Sequence, residues 1–199
     1  MTSNVDITKN TVAIILAAGE SKRLGEPKAL LNCGNKTLIE LIVKRLKSVN
    51  LEIIVVTNKK LSKTLTDLLS SQKTTIVIPS DTSYRTGNLI AGLAVCDDPQ
   101  RILVVPVDRP GWSIETIEKL LSMEKTSCPE FEGKGGHPLL ISQEDIGILT
   151  SSPVDTPLNS IFKINKIKVN DQYLHLNIDT PSDIIELEKF IKSIETNTG

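Results

Sequence analysis

Apolar residues along the chain come in two spacings that take turns. Residues 12–16 (Val-Ala-Ile-Ile-Leu) form an unbroken, largely β-branched run of strand length, the pattern of a strand buried on both faces. Residues 37–49 place Leu38, Leu41, Ile42, the stem of Arg45 and Leu46 at helical spacing, and residues 52–57 return to a buried strand through Ile53-Ile54-Val55-Val56. The alternation continues with a helix over 61–69, a short strand over 74–78, and a helix over 89–95 that Thr86-Gly87-Asn88 is placed to cap. A central strand over 101–105 and a helix from Ser113 to about Met123 follow. Repeated β-α-β predicts a mostly parallel sheet covered by helices on both faces.

The final third is less regular. Residues 129–138 are rich in glycine and turn formers, 139–141 read as a strand, and 143–149 as a short helix. Residues 164–169 and 173–176 read as strands of a hairpin or sheet edge turned at Asn170-Asp171, and Pro181 opens a last helix to about Ile194. The 199 residues suit one domain over 11–195, with flexible tails expected at 1–10 and 196–199.

Composition narrows the partners. A formal net charge of −1 and 3% aromatic content leave neither a field nor stacking platforms for nucleic acid. No apolar run approaches the roughly 20 residues of a spanning helix, and residues 1–10 lack the apolar core of a signal peptide, so no membrane association is expected. Cys33, Cys96 and Cys128 are odd in number and lack C-x-x-C spacing, which argues against a disulfide scaffold or zinc site and suits the cytoplasm.

Three segments carry candidate chemistry. Leu16-Ala17-Ala18-Gly19-Glu20-Ser21-Lys22-Arg23-Leu24-Gly25-Glu26-Pro27-Lys28 joins the first strand to a small cationic loop. Its amides, Ser21, Lys22, Arg23 and Lys28 can surround a polyphosphate, and Gly19 and Gly25 let the backbone come close. Neither the dinucleotide fingerprint nor the P-loop spacing is present. Asp108, in Val107-Asp108-Arg109-Pro110, follows the central strand, where an open parallel sheet places its ligand crevice; it reads as a metal-holding carboxylate or as a turn former. Asn177 and Asp179 alternate onto one side and can face one metal, although Asp179 or Thr180 can equally cap the last helix.

The first segment resembles, residue for residue, the L-A-A-G-x-S-x-R-x-G-x-x-K signature of the MobA-like nucleotidyltransferases, relatives of the molybdopterin cytidylyl- and guanylyltransferases. Val107-Asp108-Arg109-Pro110 is similar to the family's D-x-P metal motif, with Val107 where Gly or Cys is usual. Asn177-Ile178-Asp179-Thr180-Pro181-Ser182-Asp183 is a hybrid of the cytidylyl D-x-D-T-P-E-D and guanylyl N-x-N-T-P-E-D patterns. Gly133-Lys134-Gly135-Gly136-His137-Pro138 resembles the G-x-x-G-H-P loop that faces the acceptor in the cytidylyl branch. Residues 84–93 stand where the family touches the nucleotide, with Asn88 in place of a serine and Arg85 open between phosphate contact and surface charge.

The resemblance implies a single-domain, Rossmann-like three-layer α/β/α fold of the nucleotide-diphosphosugar-transferase type. It implies Mg²⁺-dependent transfer of a nucleoside monophosphate from an NTP to a phosphorylated small molecule, with release of pyrophosphate. Arg23, Lys28 and Asp108 would be catalytic; Leu16, Ala17, Ala18, Gly19, Ser21, Gly25 and Asn88 would bind the nucleotide. Gly136 and His137 would face the acceptor, and Asp108 with Asp179 or Asn177 would hold the metal. L-A-A-G in place of L-A-G-G, together with the G-H-P loop, favours CTP. Molybdopterin is the leading acceptor, with a molybdoenzyme or its chaperone as protein partner. The alternatives are a sugar- or alcohol-phosphate acceptor, or a nucleotide-binding regulatory module without turnover; retention of Arg23, Lys28 and Asp108 together speaks against the last.

Overall fold

Strand β1 (Thr11–Ala17) is buried along its whole length in the computed structural model, which describes residues 11–81 and 83–196. Its side chains divide by the period of two: Ala13, Ile15 and Ala17 enter one core, Val12, Ile14 and Leu16 the other. The elements after it are β2 (Asn32–Cys33), β3 (Lys36–Thr37), α1 (Leu38–Lys47), β4 (Glu52–Thr57), α2 (Lys59–Leu68), β5 (Thr75–Val77) and α3 (Arg85–Leu93). The second half adds β6 (Arg101–Pro106), α4 (Ile114–Leu121), β7 (Ser127–Phe131), β8 (Lys134–Gly135), β9 (Leu139–Ile141), α5 (Gln143–Ser151), α6 (Leu158–Ile161), β10 (Asn165–Lys168) and α7 (Asp183–Thr196).

The main sheet runs β10-β7-β9-β6-β1-β4-β5, with β8 paired to β7. Pairs β1–β4, β1–β6, β4–β5 and β7–β10 are parallel, whereas β9 runs antiparallel to β6 and β7. One core holds the inner faces of α1, α4 and α7, and the opposite core holds Leu89 and Leu93 of α3 with Leu149 of α5: three layers. Truncating a fully buried strand residue such as Ile14 to Ala would cost about 2–5 kcal/mol. Gly92 lets α3 lie close on the sheet, since a Cβ there would stand 2.8 Å from Val56 Cγ2 and 2.9 Å from Ile14 Cγ2.

Topology places the crevice. From β1 the chain crosses through α1 to β4 and onward to β5, then returns through α3 to β6 on the other side of β1. Strand order therefore reverses at β1–β6, and a ligand crevice opens at the carboxyl ends there. Leu16 pairs with Val56 and with Pro106, so the three strands finish level and deliver Ala18, Asn58 and Val107 to one rim.

Three sequence expectations are corrected. Residues 127–131 are a strand, not part of a turn-rich loop, and β10 pairs with it in parallel; residues 173–176 form no strand, so no hairpin turns at Asn170-Asp171. Asp171 is occupied elsewhere, accepting from the Ser113 amide at 2.8 Å, and its carbonyl accepts from Leu174 in a local turn. Thr86, Gly87 and Asn88 lie inside α3, which begins at Arg85 with Tyr84 as its flanking residue and no side-chain cap. The Gly87 amide of that first turn instead donates to the Val154 carbonyl at 3.1 Å, a partner from a distant loop. Thr196 ends α7, and the remaining tail residues lie outside the described residues.

Candidate active site

Past Ala17 the chain leaves the sheet and closes a loop on Ser21. The Leu24 and Gly25 amides donate to the Ser21 carbonyl at 3.0 and 3.2 Å, and the Lys28 amide donates to Ser21 Oγ at 3.2 Å. Gly25 has φ +84°, where a side chain would be strained, so it shapes the turn rather than lining the crevice. The carbonyls of Leu16, Ala17 and Ala18 accept from the Val107 amide, Thr57 Oγ1 and Asn58 Nδ2 at 3.1, 3.3 and 3.1 Å, so each has a fixed direction. Asn58 also caps α2 by accepting from the Lys60 and Leu61 amides. None of the three motif segments includes Asn58, although an Asn directly after a buried strand and before a helix is a usable signal.

The charged groups converge on Lys28. Its ammonium donates to Asp108 Oδ2 at 3.1 Å and to Asp179 Oδ1 at 2.6 Å, with the Lys28 side chain only 14% exposed. Asn177 Nδ2 donates to Asp179 Oδ2 at 2.7 Å, and Arg23, 72% exposed, reaches the same oxygen at 3.3 Å. The Lys28 hydrogen bond is the main reason the Asp179 carboxyl is held below its ordinary range. Two backbone features bring these segments together: the Ile178 amide donates to the Asp108 carbonyl at 3.0 Å, and Asp183 accepts from the Asp179 and Thr180 amides. The Asp183 carboxylate also accepts from Thr180 Oγ1, so it holds the turn that opens the last helix, and the Asp179 carboxylate is left to Lys28, Asn177 and Arg23. Lys22 is not brought in; it pairs with Glu20 at 2.6 Å on the surface.

Two clefts adjoin here. One of about 220 Å³ is lined by Ala18, Gly19, Ser21, Lys28, Asn88 and Asp108, with Leu16 and Ala17 at its floor. The other, about 560 Å³, is lined by Tyr84, Thr86, Cys128, Gly136, His137 and Thr156. Ser83, Arg85 and Pro106 belong to both, so Arg85 stands between them.

His137 is pushed down to about 4, chiefly by burial and then by the positive charges of Arg85 and Arg109, with Asp108 opposing. The fold therefore takes up fewer protons than the unfolded chain between its ordinary 6.5 and about 4. Stability that is complete above 6.5 is lost as pH falls through that window. Urea titrations across it should show the wild type losing stability relative to His137→Gln as the pH drops. Parallel curves would remove His137 from the pH dependence.

The MobA-like NTP transferase domain model matches residues 13–174. The chain belongs to this family. As a MobA-like NTP transferase domain it is 34% identical over 119 residues to a probable molybdenum cofactor guanylyltransferase of Bacillus mycoides, covering 57% of this chain and 56% of that protein. It is 23% identical over 177 residues to the molybdenum cofactor cytidylyltransferase of Escherichia coli, covering 86% and 92%. The chain spans about half the length of the curated relatives it matches at higher identity. Among solved structures, the Mycobacterium sp. strain JC1 homolog of Mycobacterium tuberculosis Rv0371c superposes with TM-score 0.79 at 21% identity, covering 93% of this chain and 98% of that one. Rv0371c in complex with manganese gives 0.72 at 19%, covering 90% and 98%. These structural likenesses show a shared fold.

Proposed function

We propose that the chain transfers a nucleoside monophosphate, CMP from CTP, to a phosphorylated small molecule with release of pyrophosphate. The observation that carries this reading is the Lys28 ammonium held between Asp108 and Asp179 beside the Gly19–Ser21 backbone. The nucleotide takes the smaller cleft and the acceptor the larger. Val104, Cys128, Leu139 and Ile164 line the acceptor cleft beside Thr86, Asp155 and Asn159, a mix of apolar wall and polar edge that suits a flat heteroaromatic ring better than a polyol. Molybdopterin is thus the first candidate and a sugar phosphate the second, and a molybdoenzyme or its chaperone would receive the product. The free thiols of Cys33, Cys96 and Cys128 suit a reducing compartment, and among the described residues no helix is long and apolar enough to cross a membrane.

The residues fit a divalent cation. Asp108 and Asp179 present hard oxygens to one cationic centre, and Asn177 stands beside them. Among the described residues no group of three or more His, Cys, Asp or Glu could hold a metal ion by itself; Mg²⁺ is commonly held by one or two carboxylates together with water and substrate phosphates, and Asp108 and Asp179 would be those two. Bound there, Mg²⁺ would neutralise charge on the transferring phosphate. The acceptor phosphate is already ionised near neutral pH, so no general base is needed. The chain's task is to align two anions and stabilise the departing one. Lys28 and Arg23, with the loop amides, receive the pyrophosphate, while Arg85 faces anionic groups from either cleft.

Base choice tests the nucleotide assignment. As the family resemblance implies, Ala18 narrows the slot at the base edge, and backbone donors and acceptors of residues 16–19 read the base. Each unpaired base contact costs about 1–3 kcal/mol, so two or more of them predict at least about tenfold preference for CTP over GTP in pyrophosphate release with Mg²⁺. Ala18→Gly should weaken that preference. Equal use of the two nucleotides by the wild type would reject CTP while leaving the transferase reading in place.

A further inference from the structure

Outside the crevice, a half-buried cation is tied to the segment that carries Asp108. Arg45, on the inner face of α1, donates through Nη1 to the Pro110 carbonyl at 3.0 Å and through Nη2 to the Trp112 carbonyl. Its guanidinium carbon lies 4.1 Å from the centre of the Trp112 ring and 5.3 Å from that of Phe190 in α7. Trp112 is fully buried and Arg45 half-buried over it. Burial lowers Arg45 to about 10 and Asp171 opposes the shift, so the guanidinium stays charged at neutral pH.

The clamped turn leads directly to the crevice. Pro110 and Trp112 follow Asp108 by two and four positions, and the Asp108 carbonyl accepts from Ile178, between Asn177 and Asp179. Gly111 presses on the same second segment: a Cβ there would stand 1.8 Å from the Tyr173 carbonyl oxygen. One planar fork therefore fixes the turn on which both carboxylate-bearing segments register. A lysine ammonium is a point donor without the fork's fixed geometry and stacks less well on an indole.

We propose that Arg45 is a positioning residue for nucleotidyl transfer, setting the distance between Asp108 and Asp179 through the residue 110–112 turn. This rests on the transferase reading above. Displacement of a reacting group by about 1 Å can cost about 100-fold in rate. The Ala18–Ser21 backbone is held by Asn58 and by the loop's own bonds to Ser21, so nucleotide affinity is not expected to follow that loss.

Three measurements on Arg45→Lys and Arg45→Met test it: turnover, CTP affinity by calorimetry, and amide hydrogen exchange. Turnover should fall about 100-fold in Arg45→Met and less in Arg45→Lys, with the dissociation constant for CTP within about threefold. Exchange should quicken at Ile178, whose donor serves Asp108, and stay slow at Val107, which bonds to Leu16. Two outcomes overturn the proposal: turnover within twofold of wild type in both variants, or loss of turnover and CTP affinity together in proportion to the unfolded fraction. If Arg45→Met does not fold, Arg45→Lys decides by the same criteria. A wild type that transfers no nucleotide with any acceptor rejects the transferase reading itself, and this role with it; the exchange data then still report whether Arg45 fixes the turn.

Discussion

Asp108→Asn is expected to cut pyrophosphate release about 1,000-fold, at the upper end of what losing one preorganised charged group costs. Its backbone carbonyl still accepts from Ile178, so the substitution leaves the segment in place and removes only the charge. A neutral amide holds Mg²⁺ weakly and gives Lys28 one carboxylate fewer. Nucleotide binding through the loop amides should persist, with a CTP dissociation constant close to wild type by calorimetry. Near-normal turnover would take Asp108 out of the reaction.

Lys28→Met should lose about 2–4 kcal/mol of transition-state stabilisation, seen mainly in turnover, because the ammonium meets charge that develops on the departing pyrophosphate. Arg23→Ala should lose less, since Arg23 is largely exposed and meets Asp179 at 3.3 Å, where solvent screens it. The Lys28 variant has a second signature. With the ammonium gone, Asp108 and Asp179 face one another without compensation, and their shared site should take up Mn²⁺ without nucleotide more tightly than the wild type does, as read by electron paramagnetic resonance. Unchanged kinetics in both variants would reduce the residue 19–28 loop to a turn.

Much of this was legible in the residues because the signals were local. An unbroken apolar run marks β1, and its period of two assigns each side chain to a core. The position of Asp108 just past β6 follows from the same kind of run and the rule that crevices open at carboxyl ends. Where tertiary partners decided, the local signal misled. Thr86-Gly87-Asn88 has the composition of a cap, yet Val154 satisfies the helix start and the three residues were drawn inside α3. Residues 173–176 alternate like a strand, yet Asp171 is committed to Ser113 and the polypeptide turns there instead.

The crevice shows the same division. The glycine loop, Asp108 and Asp179 stood out as residue types in a pattern, but their meeting on Lys28 required contacts across 80 and 151 positions. Arg45 gave only an apolar-stem signal at helical spacing. Nothing in its neighbourhood of sequence announces that its guanidinium ends on carbonyls of residues 110 and 112. Long-range hydrogen bonds to main-chain atoms leave no side-chain signature at their acceptors, which is why such a brace is visible only in the folded chain.

In the proposed transfer the α-phosphate, not the γ-phosphate, moves to the acceptor. Incubating the protein with Mg²⁺, a phosphorylated acceptor such as molybdopterin, and CTP labelled separately at each position tests it most directly. The expected result is α-label in the acceptor product and γ-label in pyrophosphate. Label from the γ-position in the acceptor, or release of γ-label as orthophosphate without any adduct, would contradict it.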